Sequence, residues 1–359
     1  MSLCVKVTIN GSTDLTGIKS VSSRSQMNGP TTAKVSLTNY GGSNQFTASR
    51  GDLIQIQASP RNKANANGLP IVFYGFISDI ETTKTQFVIY CSDALGYLSN
   101  EIVMINPTSI ASGGDASDLV KELIGGSSYN LAPTEVIGRT NIAISSGLDL
   151  VGKTRLEAIQ IVMQQINQTP NKYQISAVNN GSATLGIRMN KVPEITDNLI
   201  EPYVAGRIPR TSAPQDLYPT AIERIEDDSD LINFVTVRNQ DLGIIVNSPE
   251  TRPSQPIQRL FDEDTITDVS QARLFGRQII EQQGRFKSRW SVTALPERFD
   301  MRTGELVEFA SVEGGLAGIH QIFDISWSMN PDGSTINLTV GRQSPNLISA
   351  IRYATNLFV

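Results

Sequence analysis

A single histidine, His320, stands in a chain of 359 residues, which rules out a multi-histidine metal site or a two-histidine acid/base pair. Cysteine is almost as scarce. Cys4 and Cys91 lie in separate apolar stretches with no CxxC or Cys/His spacing, so both read as buried, reduced thiols. Charge is sparse as well: 18% of residues are charged against 39% hydrophobic, and Ser, Thr, Asn and Gln supply the remaining polarity, a surface suited to extensive permanent contacts. The formal net charge of -5 argues against electrostatic docking on DNA, which needs basic stripes to displace phosphate counterions. No apolar run approaches the ~18 residues that span a bilayer. Met1 to Ile9 alternates like a strand and lacks the regions of a signal peptide, so synthesis is expected in the cytoplasm. GxSxG, HExxH and GxGxxG with a following acidic residue are all missing, and no catalytic, cofactor-binding or metal-ligating residue is expected.

What the chain does contain is an internal repeat. Gly51-Asp52-Leu53-Ile54-Gln55-Ile56, then Phe73 to Ile80 ending in Asp79-Ile80, then Phe87 to Cys91, form one series. Gly304-Glu305-Leu306-Val307-Glu308-Phe309, then Ala317 to Ile325 ending in Asp324-Ile325, then Ser334 to Val340, form a second in the same order. Ala33 to Leu37 and Arg289 to Thr293 make a further pair of strands ahead of them. Repeated surfaces in one chain favour rings, which are more often structural than catalytic.

The pattern predicts an α+β, mainly β fold: two homologous tube-type antiparallel β-barrel domains with an inserted mixed α/β domain. The expected divisions are a first barrel over 1–105, a mixed α/β region and linker over 106–215, a second barrel over 216–343, and a short terminal helix over 344–359. Strands are predicted at Leu3 to Ile9, Ala33 to Asn39, Leu53 to Ala58, Ile71 to Ile80 and Phe87 to Cys91, with Gly and Asn turns between them. Ser59 to Pro70 has no apolar period and reads as an exposed loop, longer than its counterpart Ser311 to Gly315. Asp115 caps a helix over 116–124, and Arg155 begins another with Leu156, Ile159, Val162, Met163 and Ile166 as its apolar stripe. A hairpin is expected over Tyr173 to Val178 and Ala183 to Met189. The prolines from Pro193 to Pro219 read as a linker. Further on come strands at Asn233 to Arg238 and Leu242 to Asn247, and a helix capped by Asp268-x-x-Gln271 with Ala272, Phe275 and Ile279 inward.

One stretch satisfies the P-loop pattern: Gly147-Leu148-Asp149-Leu150-Val151-Gly152-Lys153-Thr154. A phosphate cradle needs a flexible run of free amides, and Asp149 would aim a negative charge into it. The same letters are explained without nucleotide by a Thr154/Glu157 capping box, a turn at Gly152 and a solvated Lys153. The acidic runs Asp227-Asp228-Ser229-Asp230 and Asp262-Glu263-Asp264 depart from calcium-loop spacing and read as solvated turns or subunit contacts. His320 shares strand parity with Gly318 and Ile322, which places it at a packed boundary.

Taken in order, Gly51 to Ile56, Phe73-Tyr74-Gly75-Phe76-Ile77, Tyr90-Cys91-Ser92-Asp93-Ala94-Leu95, Gly152 to Ile159, Gly304 to Val307 and Asp332 to Leu338 resemble the baseplate or tail hub proteins of contractile-tailed bacteriophages. That family is related to the hub part of type VI secretion spike proteins. When the Asp79 and Asp324 ends are matched, Gly75 aligns with His320, so glycine usage differs between the copies. The resemblance implies a structural, non-enzymatic protein with no cofactor. It implies a homotrimer whose six barrels form a pseudo-sixfold ring between a hexameric tail tube protein and a trimeric spike protein, contacting baseplate wedges and a tape measure protein. DNA would pass through the lumen without specific binding, along a wall expected to carry acidic groups, and no membrane is involved. The implied location is the tail baseplate of a virion assembled in the bacterial host cytoplasm. The alternatives are a nucleotide-dependent enzyme using Lys153, and a hub of a phage-derived contractile injection system or one with lytic activity.

Overall fold

The structure is a computed structural model. It describes residues 4–39, 48–60, 69–127, 131, 138–144, 148–166, 173–179, 185–191, 203–205, 216–227, 234–248, 258–262, 266, 268–283, 287–309 and 316–341. The expected terminal helix over 344–359 lies outside them, as do most of Ser59 to Pro70 and all of Ser311 to Gly315.

The N-terminal module is built from β1 (Val5–Ile9), β2 (Thr13–Asp14), β3 (Ile18–Gln26), β4 (Thr32–Thr38), β5 (Leu53–Ala58), β6 (Ile71–Thr82) and β7 (Gln86–Ser92). Alternation is cleanest in β5, where Ile54, Ile56 and Ala58 are buried while Gln55 and Gln57 face the other way. A mixed region follows, with α1 (Ala94–Leu98), α2 (Thr108–Ala111), α3 (Ala116–Gly125), α4 (Arg155–Ile166) and the hairpin of β8 (Tyr173–Asn179) and β9 (Leu185–Lys191). Its core packs the predicted stripe of α4, Leu156, Ile159, Val162, Met163 and Ile166, against Leu119 and Leu123 of α3 and Leu95 and Leu98 of α1. Arg155 holds α3 to α4 by donating to the carbonyls of Leu123 and Gly126, the otherwise open end of α3.

The C-terminal module comprises β10 (Tyr203–Ala205), β11 (Leu217–Asp227), β15 (Lys287–Pro296), β16 (Leu306–Phe309), β17 (Gly318–Asn330) and β18 (Gly333–Gly341). Between β11 and β15 the chain forms β12 (Phe234–Asn239), β13 (Ile244–Ser248), β14 (Gln258–Asp262) and α5 (Val269–Gln283). The strands order as β10-β11-β15-β18-β17-β16, and β16 pairs again with β10, closing a six-stranded barrel. The N-terminal strands repeat this order as β1-β5-β6-β7-β4-β3, but no ladder joins β3 to β1 among the described residues. Instead β3 pairs with β17, and the two modules share one 13-stranded sheet.

Three expectations are corrected. Tyr203–Ala205, read as part of a proline-rich linker, is the barrel strand β10, and it runs parallel to β11 and β16, so the second barrel is not wholly antiparallel. Residues expected inside that barrel form their own sheet, β13-β12-β14, under α5. By compactness the chain divides into a larger unit, Met1–Glu223 with Ser291–Val340, and a smaller one built from Arg224–Trp290. The N-terminal module and the mixed region therefore lie in the larger unit, while β11 and β15 of the C-terminal module each run from it into the smaller one. Finally, the pairing of Ala33 to Leu37 with Arg289 to Thr293 is out of step by one: Ala33, Val35 and Leu37 are buried, and so are Trp290, Val292 and Ala294. A slip of one residue exchanges the two faces of a strand, so core position must decide the match.

Candidate assembly interface

The repeat holds at the level of single backbone hydrogen bonds. In the N-terminal module Gly51 N donates to Ile77 O at 2.8 Å and Ile77 N donates to Asp52 O at 2.9 Å. In the C-terminal module Gly304 N donates to Ile322 O at 2.7 Å and Ile322 N to Glu305 O at 2.9 Å. Gly51 and Gly304 both carry left-handed backbones, with φ of 90° and 86°, which favours glycine at this turn. Even the carboxylates match: Asp52 accepts from Ser49 N and Glu305 from Arg302 N, each at 2.7 Å. Ile77 therefore corresponds to Ile322, Gly75 to His320 and Asp79 to Asp324. His320 is fully buried, with Nε2 2.9 Å from Leu316 O and its ring edge-on to Phe309.

Across the shared sheet the side chains sort into rows. Trp327, Ser23, Ala33, Cys91 and Ile77 stand opposite one another on successive strands, as do Met329, Val21, Val35, Ile89 and Ile80. Most of these positions are buried, and the core passes from one module into the other without a break. Burial pushes the Cys91 thiol up to about 12, which keeps it protonated and inert. Ser23, the polar member, donates to Thr32 O at 2.9 Å. The alternate positions form the other face: Ser328, Ser22, Lys34, Tyr90 and Asp79 in one row, and Ser326, Arg24, Thr32 and Ser92 in the next.

Charges on that face are answered locally. Arg24 of β3 bridges Asp324 of β17 at 3.0 Å, Lys34 lies 5.3 Å from the Tyr90 ring centroid, and Arg50 holds Asp79 at 2.5 Å. The Arg50 hydrogen bond keeps the Asp79 carboxyl below its ordinary range, while Glu81, accepting from the Tyr90 hydroxyl at 3.0 Å, raises the Tyr90 phenol. Thr293 donates to Asn337 Oδ1 at 2.8 Å and Ser328 contacts Thr335 at 2.9 Å, so hydroxyls and amides continue the face into the C-terminal module.

The P-loop-like stretch is a structural turn. Leu150 N donates to Asn106 Oδ1, Val151 N to Asp149 Oδ1, Gly152 N to Val103 O, Lys153 N to Leu150 O and Thr154 N to Glu157 Oε2. Every amide from Leu150 to Thr154 is thus spent inside the fold, and the expected capping box closes with Glu157 N donating to Thr154 Oγ1 at 3.1 Å. Asp149 stays ionised, its carboxyl lowered first by Val151 N and then by Asn106. Of the acidic runs, Asp262 pairs with Arg238 at 2.5 Å, and residues 228–230 and 263–264 lie outside the described residues. No cluster of three metal-ligating side chains occurs among the described residues, and no helix there is long and apolar enough to cross a membrane.

Sequence reasoning missed the strand that joins the modules. β3, IKSVSSRSQ, offers alternating Ile18, Val21 and small serines, and its ladder to β4 shifts between Ile18 and Ser20, which breaks the period. It also missed α1, which closes the core behind β7. The sole advance signal for α1 was Asp93 ahead of Ala94-Leu95, and Asp93 does cap that helix, accepting from Leu95 N and Gly96 N.

No protein-family model matches the chain, and no curated protein does. Solved structures do. The tail protein from Neisseria meningitidis MC58 aligns with a TM-score of 0.63 at 14% identity, covering 96% of this chain and 99% of its own. The 43 kDa tail protein of prophage MuSo2 from Shewanella oneidensis aligns at 0.61 and 12% identity, covering 94% and 98%. The E. coli c3393 protein, a component of the type VI secretion system with structural similarity to the T4 bacteriophage tail proteins gp27 and gp5, aligns at 0.54 and 8% identity, covering 94% and 77%. At such low identity the likeness speaks of architecture, and over nearly its whole length this chain has the fold of phage tail proteins and of that type VI secretion component.

Proposed function

We propose that this chain is the hub of a phage tail baseplate, a non-catalytic protein that assembles by threes so that six modules form a ring. The observation that carries this reading is the ladder between β17 and β3, through which two equivalent modules extend one sheet inside a single chain. An edge contact between equivalent modules, repeated with rotation, closes into a ring, and with two modules per chain three copies supply six. Such a ring would meet a hexameric tail tube on one side and a trimeric spike on the other. Baseplate wedges and a tape measure protein are the further partners of that position. The two modules differ, since among the described residues only the C-terminal one carries an inserted sheet and helix between β11 and β15, which would lower a six-module ring to threefold symmetry.

The polar face of the shared sheet suits the lumen wall. It presents Ser22, Ser326, Ser328 and Thr32 with charges paired as Arg24–Asp324 and Arg50–Asp79. A hydroxyl-rich, charge-matched wall offers passing DNA neither counterion release nor repulsion. Native mass spectrometry and sedimentation of the full chain, alone and with its cognate tube protein, test the reading. A threefold species is expected, and a chain that stays monomeric in both settings overturns it.

A further inference from the structure

Inside the chain, one edge of β17 takes up β3, and the counterparts of both edges recur elsewhere. Ile77 and Ile322 occupy the same hydrogen-bonded turn, so Asp79 and Glu81 of β6 stand where Asp324 and Ser326 stand on β17. On β17 that edge pairs with β3 over Asp324–Met329. On β6 the same edge leaves β5 after Ile77, and beyond it Ser78, Glu81 and Thr82 are exposed. Ile80 N, whose counterpart Ile325 pairs with Ser25, donates instead to Asp79 Oδ1 of its own strand at 2.8 Å.

β3 has its own counterpart in β11. Glu297 N donates to Asp216 O at 2.9 Å and Thr220 Oγ1 donates to Thr293 O at 3.1 Å, which sets the β11 and β15 register. Counting along it puts Ala221 opposite Val292 and Arg224 opposite Arg289, as Val21 lies opposite Val35 and Arg24 opposite Thr32. Val292 and Val35 are both fully buried core positions. Arg224 therefore occupies the place of Arg24, the residue that bridges Asp324 across the module junction. Among the described residues β10 covers β11 only at Leu217, and Thr220, Ala221, Glu223, Arg224 and Ile225 are exposed.

Resting on the hub reading above, we propose that the β6 edge over Ser78–Thr82 receives β11 of a second copy of this chain. The strands run antiparallel, with Glu81 opposite Arg224 of the second copy and that arginine reaching Asp79. The pairing copies the internal junction strand for strand. Charge supports it, because Asp79, which Arg50 already bridges, and Glu81, which already accepts from Tyr90, would face an arginine on β11 at the positions where the internal junction places Asp324 against Arg24. Backbone pairing of this kind satisfies an open edge that would otherwise invite indiscriminate association.

The register fixes the test. Met27 N donates to Phe323 O at 2.9 Å, so the Arg24 and Ser326 pair is of the non-hydrogen-bonded kind, and Glu81 with Arg224 would be too. Such pairs sit about 4.5 Å apart between Cα atoms, within the span of a disulfide. The full chain carrying Cys4→Ser, Glu81→Cys and Arg224→Cys should form covalent dimers and trimers on mild oxidation. A control with Glu81→Cys and Glu223→Cys, one residue out of step, should give about tenfold less. Arg224→Glu alone should weaken self-association about tenfold or more, and adding Glu81→Arg should restore it. Copies that associate without the 81 to 224 crosslink and without charge-swap rescue overturn this pairing and leave the hub reading standing. A chain that never associates overturns both.

Discussion

The two modules share a strand order and a glycine turn, and they differ along one inward row, where Phe73 and Gly75 stand in the places of Gly318 and His320. Gly75 in the N-terminal module faces the carbonyl of Ser92, and a Cβ there would lie 2.2 Å from that oxygen. His320, its counterpart, has a full side chain buried beside Phe309. Two neighbours crowd Gly75, the Ser92 carbonyl and the Phe73 ring, whose tip would lie 2.7 Å from such a Cβ. β7 turns at once into α1, with the buried Asp93 accepting from Thr31, Leu95 and Gly96. In the C-terminal module the counterpart of Phe73 is Gly318. A position walled by backbone and an aromatic ring admits only glycine, whereas its counterpart, two residues from a glycine on the same strand face, holds a large side chain.

Exchanging the two residues should break this comparison most sharply. Gly75→His is expected to abolish cooperative folding, a loss above about 4 kcal/mol, since the obstructing atoms are backbone, whereas His320→Gly should leave a folded protein weakened by about 2–4 kcal/mol. Urea denaturation followed by tryptophan fluorescence reads both. Next in size is Asp93→Ala, which leaves the backbone donors of Thr31 and Leu95 unanswered and should cost about 2–3 kcal/mol.

Acid dependence separates Asp93 from another helix cap. Burial pushes Asp93 up to about 6 from an ordinary 3.8, so the folded state binds its proton more tightly than the unfolded chain. Its contribution is fully present below 3.8 and is lost as pH rises through about 6. Asp115 is partly buried too, which alone would raise it, yet hydrogen bonds from Ser117 and Thr140 bring it down to about 2. Its contribution is present above 3.8 and is lost as pH falls through about 2. Urea midpoints across acid to neutral pH should show the first slope flattened by Asp93→Asn and the second by Asp115→Asn. A smaller loss, about 1 kcal/mol, is expected for Glu157→Ala in the capping box, measured by thermal melting. The smallest effect is none: ATP should leave the melting temperature unchanged in the native chain and in Lys153→Ala alike, because the loop amides are already engaged.

Legibility in the sequence followed local chemistry. Asp115, Thr154 with Glu157, and Asp268 mark helix starts through hydrogen bonds to amides two or three residues away, and all three caps form. Gly51 and Gly304 betrayed the repeat because a left-handed turn constrains residue type strongly. The assembly surface was harder to see. β3 is half serine on a face that touches other polar strands, and β10 is a three-residue strand among prolines whose existence depends on partners far along the chain. The insertion of β12 to α5 was read as more barrel because its strands alternate like any others; only pairing reveals that they belong to a separate sheet.

The ladder from β17 to β3 also sets a schedule for synthesis. Arg24 and Asp324, which meet across it, are 300 residues apart. At roughly 5–20 residues per second, a ribosome leaves the serine-rich strand waiting about 15–60 seconds for its mate. During that delay the nascent chain carries a raw β margin, and its modest apolar content, four serines with Arg and Lys among nine residues, keeps that margin from adhering to its neighbours on the polysome.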